Sequence, residues 1–256
     1  MPYSGGLVRG RLATFMVDTF EQIQIVLFLR QQPLVDALKL WSQAFDEPPS
    51  AFQTLTAGHT QCQGVVRGTL NTLVVQPARI DLLIQPEPIV SDTTVLPLSL
   101  PDPAISSADG IERLRRAAAG LLISRVACVM QGSSRAGDKA SAIKQAGEVI
   151  RNLSLPRGAS DLTYQITVPK MSSLNEARRI QRLARWQTVQ LVHINQTATM
   201  GLQSIGAFQS IFGLHTYVDV FVENQEELNS LTVVPVLEEV VAEASAIMTR
   251  GYDALQ

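Results

Sequence analysis

The segment DLTYQITVPKMSSLNEARRIQRLARWQTVQLVHIN, Asp161 to Asn195, decides how the chain folds. Its first part, Leu162 to Val168, reads as a strand. Ser173-Leu174-Asn175-Glu176 has capping-box spacing, a serine at the cap and an acid three residues later. Ala177, Ile180, Leu183 and Ala184 then recur at helical spacing, which predicts a helix from Leu174 to Arg185. Arg178, Arg182 and Arg185 fall at i, i+4 and i+7 of that helix, an exposed stripe of positive charge with Arg179 beside it. After Trp186 the period changes to two, Val189, Leu191 and His193 set against Gln190, Val192 and Ile194. A second strand, Gln187 to Asn195, is therefore expected to follow the helix directly.

On the N-terminal side, residues 11–18 and 23–30 read as strands, the second with apolar residues on both faces, as in a central strand. Pro33 opens a short helix with Leu34, Leu38, Trp41 and Phe45 on one stripe. Thr69 to Val75 and Arg79 to Gln85 flank Gln76-Pro77-Ala78-Arg79, a hairpin with proline at the second turn position. Prolines at 86, 88, 97, 101 and 103 mark an extended connector. Helices are expected over about 108–131 and 136–153. The first shows Ile111, Leu114, Ala118, Leu121 and Val129 on one side, and the second a face of small residues. Residues 196–213 fit neither period. Leu214 to Glu223 reads as a strand, with His215, Tyr217, Asp219, Phe221 and Glu223 facing away from the core, and a last helix spans about 235–251.

These elements give an α+β fold, with an antiparallel sheet in each half and helices packed on one face. The division expected is 1–90, a connector at 91–107, and 108–256. Arg79-Ile80-Asp81-Leu82-Leu83-Ile84 echoes Tyr217-Val218-Asp219-Val220-Phe221-Val222, which fits a degenerate internal duplication.

The hydrophobic fraction of 46% supplies a sizeable, mainly aliphatic core, since aromatics make up 5%. A net charge of −2 argues against a nucleic-acid coat or a polybasic membrane binder. Cys62 and Cys128 are far apart and form no disulfide framework, and Met1 to Gly10 lacks the apolar core of a secretory signal. No apolar run is long enough to span a bilayer. These features point to a cytoplasmic protein.

The segment Asp161-Leu162-Thr163-Tyr164-Gln165-Ile166, followed by Pro169, Ile180-Gln181-Arg182-Leu183 and Trp186, resembles an uncharacterised family of soluble bacterial proteins of similar size. The Arg79-Ile80-Asp81 strand is also similar, whereas Thr167 and Val168 are less polar than that family's pattern. The resemblance implies a bacterial α+β protein and carries no activity.

Phosphate-binding, dinucleotide-binding, zinc-protease and serine-hydrolase motifs are absent from the sequence, and no cofactor or metal is expected. This favours a non-enzymatic interaction or regulatory module that self-associates or docks on a protein partner. The alternative is a nucleotide- or nucleic-acid-binding protein using Arg178, Arg182 and Arg185. A third reading is a hydrolase-type enzyme using His215 and Asp219. Alternate residues lie ~6.8 Å apart along a strand, so these two, separated by two such steps, are too distant for a direct hydrogen bond, and a partner from a neighbouring strand, His193, would have to join them.

Overall fold

The computed structural model describes residues 17–30, 36–55, 58–88, 98–151, 153–156, 158–199 and 202–256. For 191–199, 202–210 and 223–227 it describes the backbone only. In chain order the elements are β1 (Thr19–Leu29), α1 (Ala37–Ala44), β2 (Ala51–Thr54), β3 (Thr60–Val66), β4 (Thr69–Gln76), β5 (Arg79–Pro86), α2 (Pro103–Ala117), β6 (Ile123–Ala136), α3 (Lys139–Val149), β7 (Thr163–Met171), β8 (Arg179–Thr199), β9 (Leu202–Leu228) and α4 (Val233–Arg250). A 3-10 turn, Gly251–Leu255, follows.

The fold is α+β, but its strands form one antiparallel sheet rather than a sheet in each half. The strand order is β2-β3-β4-β5-β1-β6-β9-β8-β7. The halves fuse because β1 and β6 carry apolar residues on both faces and pair with each other through their otherwise open edges. Ile23, Ile25 and Leu27 of β1 align with Met130, Cys128 and Val126 of β6, and all six are fully buried.

The helices cover this one face. A Cβ on Gly110 of α2 would lie 2.8 Å from Ile84 and 3.0 Å from Ile25, so glycine lets that helix settle on the sheet. Met248 of α4 reaches Gly132 of β6, and Trp41 of α1 lies over Gly64 of β3. Aspartates start three of the helices. Asp36 accepts from the Leu38 amide, Asp102 from Ala104 and Ile105, and Asp138 from Ser141. Each such cap is worth ~1 kcal/mol.

Two expected helices are corrected. The helix at 108–131 ends at Ala117, and the remainder is the buried strand β6. Its apolar residues occupy both faces, a pattern a helix shares. The helix expected from Leu174 to Arg185 is a turn followed by the first third of β8. Instead of capping a helix, Ser173 donates its amide and hydroxyl to Glu239, and Asn175 closes the turn on Ala177 and Arg178. Residues 196–213 belong to the β8–β9 hairpin, with 200 and 201 outside the described residues. Most of the strand expected at 11–18, and the start of the helix at Pro33 and Leu34, also lie outside them.

The two halves repeat one plan. In each, a first strand is followed by a helix, an antiparallel meander and a second helix, and the first strand pairs with the last strand of the meander; the meander has four strands, β2 to β5, in the first half and three, β7 to β9, in the second. Asp81 lies between Val26 and Val74, and Asp219 lies between Val129 and Leu183, at matching positions of the two meanders. The β1–β6 register is symmetric about Ile25–Cys128, with Gln24 opposite Val129 and Val26 opposite Ala127.

Candidate functional site

Besides lacking a counterpart of β2, the second half departs from the first at the tip of its meander. In the first half the meander turns tightly: Gln76 and Arg79 are register partners separated by Pro77 and Ala78 alone. Their counterparts, Arg185 and Tyr217, are register partners separated by all of Trp186 to Thr216. This extra hairpin continues to Thr199 opposite Leu202, with a bulge between Ile194 and Gln196. β7 pairs with β8 only as far as Gln187, and β6 pairs with β9 only as far as Phe212. Among the described residues, 189–199 and 202–211 therefore pair only with each other. At ~3.4 Å per residue this arm extends roughly 35 Å beyond the sheet.

The arm is rooted in the core. Trp186 and Thr216 are cross-strand partners, both fully buried beneath the helices. Among the described residues Trp186 Nε1, Thr216 Oγ1 and the neighbouring Ser134 Oγ find no hydrogen-bond partner. From Trp186 through Val218 the sequence contains no Asp, Glu, Lys or Arg. The sign-bearing residues resume at Arg185 and Asp219, where the two halves again match.

The arginines expected on one stripe are separated by the strand's alternation. Arg178 sits in the turn before β8. Arg182 points into the helix-covered core, where it is 4% exposed. It donates to the carbonyls of Val168, Ala254 and Leu255 and to the Glu243 carboxylate at 3.2 Å, and so holds the C-terminal turn. Arg185 lies on the opposite, helix-free face, 4.7 Å above the Tyr217 ring. The three do not form one surface.

His215 and Asp219 share the helix-free face with Tyr217 between them, as the sequence indicates. The carboxylate beside His215 is Glu21, 3.8 Å from its Nε2. Ser133, the register partner of His215, donates its hydroxyl to Glu21 rather than to the imidazole, the wrong order for a serine nucleophile. Burial holds the His215 pKa below its ordinary value, opposed by Glu21 and reinforced by Arg185. His193 does not join them: it pairs with Gln209, six residues along β8 from the partner of His215, roughly 20 Å away.

The rest of the helix-free face was not anticipated from the sequence. Arg125 lies 4.9 Å over Phe28 and 4.0 Å over Phe221, and Arg79 lies 5.2 Å over Phe28, a ladder of guanidinium and ring across four strands. Arg79 also grips Asp81 through Nε and Nη2, and Gln24 donates to the same carboxylate. Asp219 receives neither donor, since Tyr217 stands where Arg79 does and Ala127 where Gln24 does. Burial pushes the Asp219 carboxyl above the usual carboxylate range, against the pull of Arg125 and Arg79.

A cleft of about 110 Å³ opens between α1, α2 and the β3–β4 turn. Its charges satisfy one another: Arg67 and Arg113 contact Asp109, Arg116 contacts Asp46, and Arg113 donates to Asn71. Among the described residues no group of three or more His, Cys, Asp or Glu side chains could hold a metal ion, and no helix is long and apolar enough to cross a membrane. No family model matches the chain, and a search of curated proteins finds no match.

Proposed function

We propose that the protein is a non-enzymatic assembly module that self-associates. It is built from a duplicated unit whose second copy carries a β arm that the first lacks. The arm is the observation that supports this reading. A lone two-stranded hairpin is marginally stable in water, and its outer edges present unpaired backbone donors and acceptors. Natural edge strands are ordinarily guarded by charge, and this one carries none between Trp186 and Val218. The β7 edge, by contrast, carries Pro169 and Lys170. An uncharged arm of this length gains most when another strand covers it.

The test is the molar mass of the chain by light scattering, with and without the arm. Replacing 189–213 by Asn-Gly, the residues of a tight hairpin turn, gives the second half the short turn of the first. The intact chain is expected to be oligomeric and the shortened chain monomeric with an unchanged far-ultraviolet spectrum. If the shortened chain fails to fold, glutamates at both Thr197 and Ser204 serve instead. They are register partners, so the like charges disfavour edge pairing while leaving the root intact. A monomeric intact chain at tens of micromolar would overturn the proposal.

A further inference from the structure

We infer that the occupant of each arm edge is the arm of a second copy of this chain, joined head to tail so that the β8 edge of one copy pairs with the β9 edge of the next and the arms close into a ring of strands. The inference rests on the self-association just proposed and names its geometry.

Length selects the partner. Among the described residues each arm shows two edges with no further strand beside them, 191–199 and 202–211. The sheet's other edges do not match them: β2 has four residues, and β7, with nine, includes a proline, which has no backbone donor, and a lysine. An equally long, equally uncharged edge is found on another arm. Composition points to protein rather than lipid. At alternate register positions one set includes Leu191, Ile211, His193 and Gln209, and the other Gln190, Phe212, Val192 and Ser210. Each set mixes apolar and polar residues. A lipid-facing band needs one continuous apolar set, whereas a strand packed between neighbours does not.

Head-to-tail pairing follows from the number of edges. A two-fold arm–arm contact pairs like edges and leaves one edge of each chain open. Pairing unlike edges covers both with a single repeated contact, and closing the ring removes edges altogether. The chain already joins its own halves edge to edge through β1 and β6.

Single cysteines placed along 189–199 in one set of variants and along 202–211 in another, mixed and oxidised, test this. Cys62 and Cys128 are buried and stay out of the reaction. A disulfide needs Cα atoms within ~7 Å, which adjacent strands satisfy and strands two apart, at ~9.6 Å, do not. Disulfides between members of the two sets, with none when either set is oxidised alone, are the expected result. Disulfides within one set show a two-fold contact and overturn the ring. An oligomer by light scattering with no disulfide in any mixture overturns the arm as the interface while leaving self-association standing. A monomer that releases dye from neutral phospholipid vesicles overturns both readings in favour of membrane insertion.

Discussion

Asp81 and Asp219 occupy equivalent positions on equivalent strands, yet their replacement by asparagine is expected to have unlike effects. Asp81 is 2% exposed and accepts from Arg79 Nε at 2.8 Å, Arg79 Nη2 at 2.6 Å and Gln24 Nε2 at 2.7 Å. Asparagine keeps one acceptor oxygen, turns an NH2 toward the guanidinium and removes the opposing charge. Breaking a fully buried pair costs about 3–5 kcal/mol. The Arg79 side chain retains 35% exposure, so water screens part of the loss, and about 2 kcal/mol is expected for Asp81→Asn. At Asp219 burial raises the carboxyl pKa on folding. A group raised in this way contributes stability below its unfolded pKa, which is lost as pH rises through the folded value. Ionising this carboxyl therefore costs more in the folded chain than in the unfolded one, and at pH 7 Asp219→Asn should match or exceed the wild type. That advantage should shrink as pH falls toward the carboxylate range. Urea unfolding followed by the fluorescence of the buried Trp41 and Trp186 measures both variants at pH 7 and pH 4. Equal losses at the two positions, or a greater loss at Asp219, would show that the two aspartates are held alike.

Arg182→Met should lower stability by about 3 kcal/mol, because it strands the buried end of Glu243 and frees the carbonyls of Ala254 and Leu255. Faster amide exchange confined to 251–255 in the surviving fold would report the freed turn. Gly213→Ala should destabilise by about 1–3 kcal/mol, since its Cβ would lie 2.5 Å from the Ser134 carbonyl oxygen. A thermal melt within a degree of wild type would refute that. Burial pushes the Cys62 thiol up to about 11 and the Cys128 thiol higher. Neither should react with a chromogenic disulfide at pH 8 until urea is added, and rapid labelling of the native chain would contradict the packing described.

Apolar spacing marks the elements correctly where one periodicity dominates. The β4–β5 hairpin, the outward face of β9, and helices α1, α3 and α4 all follow from apolar spacing. It failed where two periods competed. Along β8 the buried set is Ile180, Arg182, Ala184 and Trp186. A buried arginine in that set hides the alternation and leaves Ala177, Ile180 and Ala184 to imitate a helix. Along β6, Ala127 and Val129 are buried beside Val126, Cys128 and Met130, and a strand apolar on both faces has no period of its own. That the two halves share one sheet could not be read from either half, because it depends on long-range pairing of β1 with β6. The aspartate echo corresponds to Asp81 and Asp219, each on the last strand of its meander. The arm fell in the stretch that fitted no period, and its absence of charge was the signal that could have marked it.

The symmetric seam between β1 and β6 has a further consequence for handling the chain. Each half offers the other a complementary strand, and the same seam can form between two molecules. The halves are joined by 118–122, where Gly120 holds a left-handed turn at φ 80. Opening that hinge lets two chains trade halves, making a domain-swapped dimer with every native contact preserved. Refolding from denaturant at high concentration should therefore trap intertwined pairs, which dilute refolding avoids.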